Sequence, residues 1–297
     1  MNWKGVLPAI TTNLKADLSV DHPALGAHCR WLIDSGCTGI VCGGSLGEAA
    51  TLTFDEKIAI VRTAVAAAGP RAPVVLGTAS LSTTEAVALA RAAEQAGAQG
   101  LMVLPPYVYS SDWREMKAHV SAVIGATGLS CMLYNNPIAY KTDFLPEQIA
   151  GLAAEHTNLH AVKESSGDVR RITAIRAACG RRLEILVGMD DAVVEGVYAG
   201  ATGWVAGLVN AFPDESVALF DQAARGDKAR AHALYTWFLP LLRLDTVPKF
   251  VQLIKWVQAE VGRGTPHVRP PRLELAGADL ELARTALAQA LKHRPRT

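Results

Sequence analysis

Charge is scarce in this chain of 297 residues: 19% are Asp, Glu, Lys or Arg, and the formal net charge is +1. So even a balance leaves no basic footprint for nucleic acid and no polybasic anchor for a membrane surface. Cysteine is sparse too. The five cysteines (29, 37, 42, 131 and 179) are odd in number and never in C-x-x-C spacing. Neither a disulfide scaffold nor a structural zinc site is expected, and a reducing, cytoplasmic setting fits. The start, Met1-Asn2-Trp3-Lys4-Gly5, lacks the apolar stretch of a signal peptide. Residues 120–140 and 196–213 hold no Asp, Glu, Lys or Arg, but Gly, Asn and Pro interrupt both, so they read as buried strands and turns rather than lipid spans. What is abundant is hydrophobic side chain, 50% of the residues, enough for one large core.

A local pattern recurs three times. Ser35-Gly36-Cys37-Thr38-Gly39-Ile40-Val41, Ala96-Gly97-Ala98-Gln99-Gly100-Leu101-Met102 and Ala199-Gly200-Ala201-Thr202-Gly203-Trp204-Val205 each follow an amphipathic run and precede a short apolar one. Each reads as a helix closing on a glycine, a tight turn, and a buried strand. Helix starts are marked by Thr53 with Glu56, Ser82 with Glu85 and Asp112 with Glu115, and by Pro146 and Pro213. Between the helices the apolar runs Val6–Ile10, Gly39–Cys42, Val74–Gly77, Leu101–Leu104, Cys131–Tyr134, His160–Lys163, Ile185–Val187 and Trp204–Val205 predict eight strands. Strands this continuously apolar belong to a parallel sheet covered on both faces. Eight units in alternation, with no Gly-rich dinucleotide fingerprint after the first strand, predict an α/β protein: a (β/α)8 barrel over residues 1–225. Three further helices, Asp227–Leu244, Val247–Val261 and Asp279–Lys292, predict a helical extension over 226–297 that packs on the barrel.

In such a barrel chemistry belongs at the carboxyl ends of the strands. Lys163 closes the run His160-Ala161-Val162, so its stem leaves a strand buried on both faces. Loss of water disfavours an ammonium and favours the free amine that attacks a carbonyl or imine carbon. The plainer alternative is an ion pair with a strand-end carboxylate such as Glu48. Lys255, within Ile254-Lys255-Trp256, reads as a snorkelling helix residue. Tyr134 closes the preceding strand and could shuttle protons beside that amine; a hydrogen-bonded core aromatic is the plainer reading. The turn Gly43-Gly44-Ser45-Leu46-Gly47-Glu48 offers backbone amides and a hydroxyl to a substrate carboxylate. Asp190-Asp191 reads as a helix N-cap rather than a metal site, since no His or Cys stands at ligand spacing.

Three segments, Gly44-Ser45-Leu46-Gly47-Glu48, Tyr134-Asn135-Asn136-Pro137 and Val162-Lys163-Glu164, in this order and spacing, resemble the dihydrodipicolinate synthase/N-acetylneuraminate lyase family. The resemblance covers nearly the whole chain. It implies a (β/α)8 barrel with a helical extension, a homotetramer, no cofactor and no metal, and a lysine Schiff base with a 2-oxo acid. It makes Lys163 the Schiff-base lysine and Tyr134 the proton shuttle. Substrate binding would fall to Ser45, Leu46 and Tyr107, with Gly203 and Val205 lining the pocket floor.

The departures bear on substrate. Leu46 stands where the family turn usually carries a second hydroxyl. Tyr107 is followed by Val108 rather than by a second tyrosine, although Tyr109 lies close. No arginine follows Pro137; Lys141 is the nearest cation. Further likeness, in Asn2-Trp3-Lys4-Gly5-Val6, Tyr107-Val108-Tyr109-Ser110-Ser111, Ser165-Ser166-Gly167-Asp168, Trp237-Phe238 and Arg269-Pro270-Pro271-Arg272-Leu273, is to the Δ1-pyrroline-4-hydroxy-2-carboxylate deaminases of hydroxyproline catabolism. The expected partner is therefore a small 2-oxo acid or cyclic imino acid. A 2-oxo-acid aldolase, a sugar-acid dehydratase, a 4-hydroxy-tetrahydrodipicolinate synthase and a silent 2-oxo-acid sensor are the alternatives.

Overall fold

The computed structural model describes residues 1–105 and 112–295. Eight strands, β1 (Gly5–Pro8), β2 (Ile40–Cys42), β3 (Val74–Gly77), β4 (Gly100–Val103), β5 (Ser130–Asn135), β6 (Leu159–Glu164), β7 (Glu184–Val187) and β8 (Gly203–Ala206), form one sheet. Each strand from β2 to β7 pairs in parallel with the next, and β8 pairs in parallel with β1. The circle closes where Ile10 N donates to Val41 O at 2.9 Å and Thr38 N to Val6 O at 2.8 Å. Helices His22–Asp34, Phe54–Ala68, Thr83–Gln95, Trp113–Ile124, Pro146–Glu155, Arg170–Cys179, Val193–Tyr198 and Pro213–Ala224 follow the eight strands in turn. This is a (β/α)8 TIM barrel, as the alternation of apolar runs predicts.

The turns form as their residues dictate. Gly36, Gly97 and Gly200 follow three helix ends at φ of 96°, 89° and 110°, a region that costs a side chain and not a glycine. Thr53 and Glu56 form a reciprocal capping box, and the side chains of Ser82 and Asp112 cap the amides of Glu85 and Glu115.

Strand alternation sorts the side chains into two layers. Val41, Val75, Met102, Met132, Ala161, Leu186 and Val205 fill the barrel interior, while Ile40, Leu76, Leu101, Leu133, Val162, Ile185 and Trp204 pack against the helices. Trp3 plugs the amino-terminal mouth, 1% exposed, with its Nε1 donating to Ser130 Oγ at 2.8 Å. The interior is thus solid below, and what space it has lies at the carboxyl ends of the strands.

Beyond the eight units, helices run over Lys228–Leu242, Phe250–Glu260 and Gly277–Lys292. The middle one starts later than the apolar pattern predicts. Val247 precedes Pro248, and a residue before proline is pushed out of helical conformation. The five cysteines are free thiols, four of them buried. No helix among the described residues is long and apolar enough to cross a membrane.

Candidate active site

β6 alternates Ala161 and Lys163 inward with Val162 outward, which aims the lysine at the barrel axis. In register, Tyr134 of β5 is its direct neighbour. Lys163 is 7% exposed, and its Nζ stands 4.2 Å from the centre of the Tyr134 ring, over the negative face. The lysine makes no ion pair with any described carboxylate. The room for its stem comes from Gly188 after β7: a Cβ there would lie 2.7 Å from Lys163 Cε and 1.9 Å from Ser165 Oγ.

Tyr134 is held by what surrounds it. Its hydroxyl accepts from Asn136 Nδ2 at 2.9 Å, and its ring meets Tyr140 edge-on at 5.7 Å and 87°. The Tyr140 hydroxyl in turn hydrogen-bonds Ser45 Oγ. Lysine, two tyrosines and serine therefore form a continuous chain of contacts beside the cavity. Behind them Asn135 Nδ2 donates to Glu164 at 3.0 Å and to Asp143 at 3.1 Å, and its Oδ1 accepts from Phe144 N. Burial raises the Glu164 carboxyl above the usual carboxylate range, against the pull of Asn135 and Ser166.

These residues face a cavity of about 460 Å³, the size of a small-molecule site. Ser45, Leu46 and Val205 line it, together with Ala79, Leu104, Ile138 and Phe250. The amides of Ser45 and Leu46 donate to no described acceptor, so they remain available to an anion. Gly203 does not reach the cavity. It opens β8 opposite Gly5, at the plugged end, where a Cβ would lie 2.6 Å from the Trp3 carbonyl. The floor is made by Val205 alone of the two. Tyr107 and Tyr109 lie outside the described residues. Lys141 is exposed and does not line the cavity.

Lys255 does not snorkel. It is 1% exposed and donates to Glu48 Oε1 at 2.7 Å and to Thr12 O at 2.9 Å. Glu48 Oε2 also accepts from Arg269 N at 3.0 Å. The carboxylate that an isolated strand-end lysine would claim is therefore committed elsewhere. It ties the Ser45 turn to the carboxyl-terminal helices.

Two carboxyls stand on the far flank. Asp190, fully buried, accepts from Trp204 Nε1 at 2.9 Å, from Gly207 N at 3.1 Å and from Leu208 N at 2.8 Å. It opens the short helical turn Asp190–Ala192, and its carboxylate braces the turn after β8. Burial still pushes it up to about 6. Asp245, half-buried, lines the cavity with no hydrogen-bond or ion-pair partner among the described residues. Burial, and then the charge of Asp190, push it well above the usual range, while Lys163 pulls it back. Arg272 also lines the cavity. Sequence reading missed both as site residues, for neither ends a strand.

A buried lysine without an ion pair among the described residues, at the carboxyl mouth of a barrel, marks a candidate site for chemistry. The fold and this site define a barrel enzyme acting on small molecules. Residues 2–293 match the Dihydrodipicolinate synthetase family, and the chain belongs to that family of Schiff-base lyases. It is 33% identical, over 97% of its length and 98% of the relative's, to a 4-hydroxy-tetrahydrodipicolinate synthase of Chelativorans sp. (strain BNC1). It is also 33% identical, over 99% and 94% of the two chains, to a protein of Saccharopolyspora erythraea named probable 5-dehydro-4-deoxyglucarate dehydratase. Among solved structures, the dihydrodipicolinate synthase of Acinetobacter baumannii complexed with pyruvate superposes with a TM-score of 0.92 at 28% identity, covering 97% of this chain and 99% of that one.

Proposed function

We propose that Lys163 forms the Schiff base and that the substrate is Δ1-pyrroline-4-hydroxy-2-carboxylate, deaminated to 2-oxoglutarate semialdehyde and ammonia. The observation that carries the lysine's role is its burial against the Tyr134 ring without a carboxylate partner. A side chain so placed is free to attack carbon.

The Ser45 and Leu46 amides would hold the one carboxylate of the substrate. Lys163 Nζ attacks C2, and the ring nitrogen leaves it as an amine, which opens the ring. The iminium withdraws electrons and acidifies C3, so a proton departs there and the hydroxyl at C4 leaves as water. Tautomerisation carries the unsaturation to C5, where water releases ammonia. A second water frees Lys163 and the product. Tyr134, beside the nitrogen, is the group that moves protons at C2 and C3. The Saccharopolyspora relative is named a probable dehydratase, of 5-dehydro-4-deoxyglucarate. The side chains of Ile138 and Ala139 give one wall an apolar stretch, flanked by Asn136 and Tyr140.

Arg272 on the lining favours a second reading, 4-hydroxy-tetrahydrodipicolinate synthase, the activity named for the Chelativorans relative. A guanidinium there could bind the carboxylate of an aldehyde partner. Side-by-side kcat/KM values separate the two. Ammonia release from the hydroxypyrroline should be the faster reaction. Faster condensation of pyruvate with aspartate semialdehyde would replace the deaminase with the synthase.

A further inference from the structure

Asp245 has no counterpart among the groups used so far. It comes from the short helical turn Arg243–Asp245, between the first and second helices after the barrel, and reaches the cavity across the end of β8. Its approach is close: a Cβ on Gly207 would lie 2.2 Å from Asp245 Oδ1 and 2.6 Å from its Cγ. Position 207 therefore admits glycine alone while the carboxyl stays where it is. Such an arrangement brings a polar group to the cavity and gives it no protein partner among the described residues.

The strand order places the acid and Tyr134 on opposite flanks of the lysine. Tyr134 is on β5, Lys163 on β6, and Asp245 lies over the turn that follows β8. We propose that Asp245 is the acid that protonates the departing C4 hydroxyl, while Tyr134 serves the proton transfers at the Schiff base. This assignment rests on the dehydration step of the function proposed above.

After C3 has lost its proton, the nitrogen lone pair of the enamine re-forms the C2=N bond. The C2=C3 pair moves to C3=C4, and the C4–O bond breaks with its pair on oxygen. That oxygen takes the proton of the Asp245 carboxyl and leaves as water, and Asp245 is left as carboxylate. The proton returns from the C5 carbon during the tautomerisation that follows, so no outside reagent is consumed.

Burial and the charges around Asp245 raise its carboxyl above the usual carboxylate range. The groups that face it are Asp190, Asp191 and Lys163. Asp190 has hydrogen-bond donors on both oxygens, from Trp204, Gly207 and Leu208, so it is the member of the pair that ionises. Asp245 has none among the described residues, and burial and the Asp190 charge both raise its carboxyl while Lys163 opposes them. Of the two acids it is therefore the one that holds its proton further up the pH scale.

The test uses Asp245→Asn and Asp245→Ala with two readouts: washout of C3 deuterium from pyruvate, which needs Lys163 but no leaving group, and ammonia release from the hydroxypyrroline. Both variants should still exchange deuterium, while ammonia release falls about 10²–10⁴-fold. In wild type kcat should decline as pH rises and the carboxyl ionises; in Asp245→Asn that decline should vanish with the rate. Ammonia release within threefold of wild type, or a pH profile that keeps its basic decline in Asp245→Asn, would overturn the assignment. Equal loss of both readouts would also overturn it, because the carboxyl would then act before the hydroxyl leaves. A wild-type enzyme that exchanges deuterium and releases no ammonia is a different result: it overturns the function reading, and the Asp245 assignment falls with it.

Discussion

Lys163 and Lys255 are both buried, at 7% and 1% exposure, yet the chain spends them on opposite ends. Lys255 meets the Glu48 carboxylate at 2.7 Å and a backbone carbonyl besides. Burial lowers it, and Glu48 opposes that shift. Lys163 meets an aromatic face and an open cavity. The difference teaches how this fold separates stability from chemistry. A buried cation given a matched anion becomes a bolt between the barrel and the carboxyl-terminal helices. A buried lysine with no ion pair of its own among the described residues faces the cavity instead. Glu48, in the turn after β2, makes the contrast, because it pairs with Lys255.

Exchange of the two lysines for neutral side chains should break the contrast in opposite senses, and this is the largest effect expected. Lys163→Ala should abolish turnover and leave the melting temperature close to wild type. Lys255→Met should do the reverse, since it strands Glu48 without its counter-charge, at a cost of about 3–5 kcal/mol. Combining Lys255→Met with Glu48→Gln should recover part of that loss, because no unpaired charge remains. Thermal melts and steady-state rates on the same preparations check all of this. A Lys255→Met protein as stable as wild type would mean that the pair is no bolt.

A smaller effect sharpens the stabilising half. Arg269 grips Glu56 with two bonds, at 2.6 and 2.8 Å, which pins the loop before the last helix to the helix Phe54–Ala68. The grip holds the Glu56 carboxyl down at about 2, from an ordinary value near 4.5. A depressed carboxyl stabilises the fold above its unfolded value and ceases to as pH falls. This contribution should thus be intact above about pH 4.5 and disappear toward pH 2, on the order of 1 kcal/mol after solvent screening. Stability curves of wild type and Glu56→Gln should therefore converge on acidification between those values. Curves that stay parallel would show that the grip contributes nothing.

The same contrast explains what could be read from the residues in advance. Strands showed as apolar runs, and their alternation with helices carried the barrel. A lysine that closes such a run is visible locally, which is why Lys163 was legible. Gly203 was not, although it shares a motif with Val205. Two positions on a strand are about 6.6 Å apart, enough to put one residue at the plugged end and the other under the cavity. The fate of Lys255 depends on Glu48, 207 positions away in sequence, so its helix alone reads as an ordinary amphipathic one. Asp245 and Arg272 reach the cavity only because the carboxyl-terminal segments dock across β8 and β2. No local period records such a docking.

Borohydride reduction in the presence of pyruvate, with the modified lysine mapped by mass, tests the central claim most directly. The account predicts one reduced adduct, on Lys163, present in Lys255→Met and absent in Lys163→Ala. An adduct on Lys255, or one that survives in Lys163→Ala, would contradict it.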